Sequence, residues 1–166
     1  MNIVLVGYRG TGKSTVGRLL AARLGLDLVS TDAEIVKRAQ RTIPEIVAQE
    51  GWEYFRDLES SICRELAGRD QLVIDTGGGA ILRAQNVEAL KKNSTVVWLT
   101  ASVETIAKRI GGDRQRPSLT GTNSFVDEIQ DVLRERTPKY QAAADHSIAT
   151  DDQSINQLVE ALLTLV

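Results

Sequence analysis

The chain has 166 residues, 42% hydrophobic and 25% charged, which is enough apolar material for a core without disulfides or structural metal. A net charge of -2 excludes a global positive field for nucleic acid or an anionic membrane, so an anionic ligand has to meet a local positive pocket. One cysteine, Cys63, and one histidine, His146, exclude an intramolecular disulfide and a thiol–imidazole zinc cluster.

The first apolar run, Ile3 to Val6, predicts a strand buried on both faces. Before it, Met1-Asn2 lacks the basic region of a secretory leader, so a cytoplasmic location is expected. A helix follows in which Val16, Leu19, Leu20 and Leu24 share one face, with Gly25 as its C-cap. Leu26 to Val29 is a weaker strand candidate, ending at Ser30-Thr31-Asp32. The apolar period from Phe55 to Cys63 predicts a helix that carries Arg56 and packs Cys63 as an inert thiol. Leu72 to Ile74 and Thr95 to Leu99 are two further buried-strand runs.

After these comes an irregular stretch from Gly111 to Asn123, with Arg114 and Arg116 inside and glycines at both ends. Loops of this length are uncommon inside compact domains, and this one reads as a lid over an anion, spanning about 111–124. Arg136 falls near the end of the next helical pattern. Ser147 to Ala149 is a weak strand. Ile155, Leu158, Val159, Leu162 and Leu163 form a last helix behind Asp151 and Asp152 as N-cap candidates. Strands alternating with helices predict a single α/β domain over 1–166: a five-stranded parallel sheet flanked by helices in three layers. No apolar run approaches the ~20 residues of a membrane span.

Gly7-Tyr8-Arg9-Gly10-Thr11-Gly12-Lys13-Ser14 matches G-x-x-x-x-G-K-[ST] in the context that gives it meaning, after a buried strand and opening a helix. Backbone N–H groups of such a loop curl around phosphate oxygens, and the helix adds its positive end. Gly10, Thr11, Gly12, Lys13, Ser14 and Thr15 are therefore the expected nucleotide contacts. Lys13 reaches the β- and γ-phosphates, and the Ser14 hydroxyl ligates Mg²⁺. The base-reading N-K-x-D element of GTPases is absent. A P-loop small-molecule kinase using ATP and Mg²⁺ is the economical reading.

The acceptor is expected past the carboxyl ends of the strands. Asp32 is placed to orient a hydroxyl and take its proton. Arg56 and Arg136 are a pair that can fork-bind a carboxylate. Gly77, Gly78 and Gly79 would let an acceptor pack on bare backbone. Each has a plain structural alternative: Asp32 suits a helix N-cap, and Arg56 suits an i,i+3 pair with Glu59.

Gly7 to Ser14, Ser30-Thr31-Asp32, Phe55-Arg56-x-x-Glu59, Thr76-Gly77-Gly78-Gly79-Ala80, Arg116-Pro117 and Arg136-x-Pro138-x-Tyr140 together resemble the shikimate kinases over nearly the full length. The resemblance implies the P-loop kinase fold, ATP and shikimate as substrates, a role in aromatic amino acid biosynthesis and a monomer. It implies that Asp32 contacts the ring hydroxyls, Arg56 and Arg136 hold the carboxylate, and the backbone of residues 77–79 lies beside the ring; Asp32 and Arg56 fall in an acceptor-binding helical segment of about 32–62. It further implies that Arg116 swings in from the lid as a catalytic group and that Arg109 stacks on adenine.

Two departures stand out. The family places an Asp where this chain has Ser30, and a small residue where it has Asp75. The strand carrying Asp75 is expected beside the P-loop strand, where a Walker B carboxylate belongs, so the magnesium-side carboxylate is expected at position 75, acting through water. In addition, the adenine-pocket proline common in the family is replaced by Asp152-Gln153-Ser154-Ile155. A related sugar-acid kinase resembling gluconate kinase and a catalytically weakened nucleotide-binding homologue remain the alternative readings.

Overall fold

A computed structural model describes residues 1–111 and 125–166. The chain order is β1 (Asn2–Val6), α1 (Lys13–Leu24), β2 (Asp27–Ser30), α2 (Thr31–Ala39), α3 (Ile43–Ala67), β3 (Leu72–Asp75), a short 3₁₀ turn (Ala80–Leu82), α4 (Ala84–Lys91), β4 (Ser94–Thr100), α5 (Val103–Ile110), α6 (Phe125–Ala143), β5 (His146–Ala149) and α7 (Ile155–Leu163). The expected lid, including Arg114, Arg116 and Pro117, lies outside the described residues apart from Gly111.

All strand pairings are parallel, in the order β2-β3-β1-β4-β5. Every residue of β1 and β3 is buried, which is why those runs read as continuous hydrophobics rather than alternating ones. Pleating sends alternate residues to opposite faces. Val4, Val6, Leu72, Ile74 and Val96 pack under α3, α4 and α6 with Phe55, Ile62 and Tyr140. Ile3, Leu5, Val73, Val97 and Leu99 pack under α1 and α7 with Val16, Leu20, Leu158 and Leu162. Three layers result, as expected from the sequence. The connection from β1 leaves to one side of the sheet and that from β4 to the other, so the crevice opens at the carboxyl ends of the central strands.

Cap chemistry agrees with expectation at Gly25, which takes the left-handed conformation (φ 68°) and donates to Ala21 O. It differs at α7. Neither Asp151 nor Asp152 caps that helix; Ser154 does, in a capping box with Gln157. Asp151 instead accepts from the Ser102 N–H across the sheet's end. Arg136 also sits further inside its helix than the pattern implied, because α6 continues through Pro138 to Ala143. A second break in regularity lies in α3, where Gly51 at φ 88°, ψ 169° divides two helical stretches. Cys63 is fully buried and its thiol is pushed up to about 12 by burial, as fits a packed and unreactive side chain.

Candidate active site

The loop after β1 turns sharply because Gly7 adopts φ 147° and lies so close to β4 that a Cβ there would stand 2.5 Å from the Leu99 carbonyl oxygen. Lys13, only 8% exposed, folds back over this loop and donates from Nζ to the Gly7 and Tyr8 carbonyls at 2.7 and 3.0 Å. Thr11 Oγ1 donates to Tyr8 O at 2.8 Å. The first turn of α1 then presents its N–H groups to the crevice, with Gly12 as N-cap. Ser14 Oγ donates to Asp75 Oδ2 at 2.6 Å. Burial pushes the Asp75 carboxyl above the usual carboxylate range, while the Ser14 hydrogen bond and the Lys13 charge pull it back.

These groups line a cavity of about 440 Å³ that includes Gly10, Gly12, Lys13, Ser14, Thr15 and Asp32. Arg109, expected to stack on adenine, borders the same cavity. Its Nη1 donates to Gly10 O at 3.1 Å and its Nη2 to Thr150 O at 3.0 Å. Thr150, the first residue after β5, is buried and donates to Thr11 O at 2.9 Å, tying the far edge of the sheet to the phosphate loop.

A second, much smaller cavity of about 20 Å³ opens beside the first and is lined by Tyr8, Arg9, Trp52, Arg56, Gly78, Gly79 and Arg136. The two predicted carboxylate-binding arginines therefore meet at one place, although 80 residues separate them in the chain. Arg56 Nη1 pairs with buried Glu59 at 2.9 Å, so the expected i,i+3 contact also exists. Its guanidinium stacks 5.3 Å from the Trp52 ring centroid and 5.2 Å from that of Phe55, which fixes the plane of the fork. Arg136 is 7% exposed and reaches toward Gly78, where a Cβ would lie 3.5 Å from its Nη1.

Glycine is needed at 77 and 79 because side chains from other elements fill the space where a Cβ would stand. At Gly77 it would sit 2.6 Å from Asp32 Oδ1, and at Gly79 it would overlap the Arg56 guanidinium. The loop is held by Gly77 N donating to Thr31 Oγ1 at 2.9 Å and by Tyr140 OH donating to Gly78 O at 2.5 Å. Asp32 lies in the first turn of α2 but is not its cap; Ser30 is, accepting from Ala33 N at 3.2 Å.

Sequence reasoning passed over Arg9, Trp52, Tyr140 and Thr150 as site residues. Arg9 occupies a variable position of the phosphate loop, and only its place on the border of both cavities singles it out. Tyr140 carried a signal as part of the Arg-x-Pro-x-Tyr run, but its hydrogen bond to the glycine loop is a tertiary fact.

Comparison with known proteins gives the family. The family model described as shikimate kinase matches residues 9–166. The chain is 44% identical to the shikimate kinase of Nitratidesulfovibrio vulgaris, over 99% of this chain and 94% of that protein. It is 41% identical to that of Pelotomaculum thermopropionicum, over 98% and 93%. Among solved structures, shikimate kinase from Acinetobacter baumannii in complex with shikimate superposes with a TM-score of 0.93 at 39% identity, covering 99% of this chain and 91% of that one. A P-loop crevice flanked by an arginine-lined pocket, carried on a sequence this similar over nearly its whole length, places the chain in the shikimate kinase family of ATP-dependent kinases.

Proposed function

We propose that the chain transfers the γ-phosphate of ATP to the 3-hydroxyl of shikimate, giving shikimate 3-phosphate, in a Mg²⁺-dependent reaction. The observation that carries this reading is the junction of the two cavities, which share Arg9 and Gly78 as walls. An acceptor held by its carboxylate in the smaller cavity has its ring directed toward the phosphate cavity. The Acinetobacter baumannii relative was solved in complex with shikimate, which supports shikimate as the acceptor.

Arg56 and Arg136 receive the carboxylate, and the orientation follows from a fork already fixed by Glu59, Trp52 and Phe55. Asp32, beside Gly77 and on the wall of the phosphate cavity, aligns the acceptor hydroxyl and takes its proton as the oxygen attacks the γ-phosphorus. The bond from that phosphorus to the β–γ bridging oxygen breaks and ADP leaves. Lys13 and the N–H groups of Gly10 to Thr15 offset the charge on the phosphates, so positioning and electrostatics carry the rate. Arg109 holds the nucleotide end of the crevice, and Arg116 is assigned to the transferring phosphate from the lid.

Ser14 offers a hard oxygen donor beside Asp75, and no group of three His, Cys, Asp or Glu ligands occurs among the described residues. That donor set fits Mg²⁺, which prefers oxygen and leaves much of its shell to phosphate and water. Ser14 would hold the ion, which would supply positive charge against the phosphates. A single domain over 1–166 acting as a monomer belongs to the same reading, and no described helix is long and apolar enough to cross a membrane. A cytoplasmic enzyme supplied with ATP fits these features.

The deciding experiment is ADP release from MgATP with shikimate, quinate, gluconate or no acceptor in parallel. Release with shikimate alone is expected. Release with gluconate would favour a sugar-acid kinase, and tight ATP binding with no turnover would favour a nucleotide-binding homologue without transfer activity.

A further inference from the structure

Asp75 is an unusual residue for its place. It ends a strand whose other members are Leu72, Val73 and Ile74, all buried, and it is itself only 6% exposed. Asp is depleted in strands, and a buried carboxylate costs free energy unless hydrogen bonds or charges compensate it. The compensation comes from the phosphate loop rather than from the sheet. Oδ2 accepts from Ser14 Oγ at 2.6 Å, and the Lys13 charge acts on the same carboxylate.

Register explains how this arises. β3 lies between β1 and β2, with Asp75 opposite Leu5 on one side and Ser30 on the other. Leu5 is two residues before the loop begins, so Asp75 is one strand spacing, about 4.8 Å, from the root of the phosphate loop. Ser30 is one strand further out, and its hydroxyl oxygen serves as the cap of α2. Asp32 is engaged elsewhere, its Oδ1 beside Gly77 on the acceptor side. The two carboxylates on the cavity wall thus face different neighbours: Asp32 the glycine loop, Asp75 the hydroxyl of Ser14.

We infer that Asp75 is the metal-positioning carboxylate of this kinase, holding the Ser14 proton so that the hydroxyl's lone pairs face the cation, and adding a negative charge beside the ion's water shell. The inference rests on the kinase reading above but not on the identity of the acceptor. Partners that orient a metal ligand typically contribute 10- to 100-fold in metal affinity.

The test is Mn²⁺ or Mg²⁺ binding to the protein–ADP complex, by titration calorimetry or Mn²⁺ resonance, without any acceptor. Asp75→Asn keeps the shape and removes the charge. It should weaken metal binding in the ADP complex by about 10–100-fold and leave ADP binding in EDTA within about threefold. Because Ser30 is the neighbour of Asp75 across the β2–β3 ladder, adding Ser30→Asp to Asp75→Asn should restore at least half of the lost affinity in logarithmic terms. Asp75→Ser, which still offers Ser14 an acceptor, serves as the second variant should the Asn form not fold, and the same loss is expected. Wild-type metal affinity in either folded variant overturns the inference. An equal loss of ADP binding in EDTA also overturns it, because that pattern belongs to a merely structural residue. Wild-type protein that binds MgADP but does not phosphorylate shikimate would overturn the acceptor assignment alone.

Discussion

The two halves of the crevice are built in different ways. The phosphate half is largely one continuous segment, Gly7 to Thr15, in which backbone groups and a helix end make the contacts and Lys13 and Thr11 stabilise the loop by bonding to its own carbonyls. The half assigned above to the acceptor is assembled from α2, α3, the loop after β3, and α6, with side chains stacked, paired and hydrogen-bonded across elements. A backbone cradle recognises any nucleotide phosphate and tolerates change at its variable positions. A side-chain cradle recognises one acceptor and depends on the packing of elements that carry no ligand contact themselves. Arg83 is such a support, binding Asp57, Ser60 and Glu53 of α3 at 2.8, 3.1 and 3.0 Å.

If that contrast holds, substitutions should separate the two halves kinetically. Asp32→Asn should lower kcat by about 10²–10⁴, the range for losing a positioned general base, with ATP affinity nearly unchanged. Parallel dissociation constants in both substrates would expose any wider damage. Lys13→Met should lower kcat by roughly 10²–10³, as for loss of one preorganised charge donor, while shikimate binding measured without nucleotide stays within about threefold. Arg136→Met should do the reverse, raising KM for shikimate by roughly 10–10² and sparing KM for ATP, because a charge-assisted hydrogen bond contributes about 1.5–3 kcal/mol. A similar rise in both KM values would break the comparison.

Glycine substitutions sharpen it further. Gly79→Ala places a Cβ on the Arg56 guanidinium and pushes it off buried Glu59, so shikimate KM should rise and Tm should fall together. Gly7→Ala meets the Leu99 backbone at a positive φ and should lower Tm markedly in a melting experiment. The smallest effect is on alkaline stability. Burial raises Cys63 from an ordinary 9.0 to about 12 and Tyr140 from 10.0 to about 12. The folded state therefore holds protons that the unfolded chain releases, and stability should fall as pH rises from about 9 to 12. Cys63→Ala and Tyr140→Phe should each flatten that decline in Tm against pH. Iodoacetamide at pH 8.5 should label Cys63 only after unfolding.

Much of this molecule was legible in order of locality. The phosphate loop, the five strands and the C-cap at Gly25 follow from patterns that span a few residues, and each matches the structure to within a residue or two. The α7 cap was misassigned because Asp151, a good capping residue by type, is drawn to Ser102 across the sheet, leaving Ser154 to do the capping. The sequence pattern puts Arg136 near a helix end, yet α6 runs on through Pro138 to Ala143, with Tyr140 and Ala143 packed in the core.

By itself the sequence determined the parallel α/β class, the phosphate loop and the residue types from which the acceptor site is made, since burial periodicity and turn chemistry act over short stretches. Only the tertiary structure decided that Arg9, Arg56 and Arg136 share one cavity, that the glycines at 77 and 79 make room for Asp32 and Arg56, and that the Asp75 expected on the magnesium side accepts directly from Ser14. Those facts depend on strand order and register, which set distances between residues far apart in the chain and leave no periodic trace in the sequence.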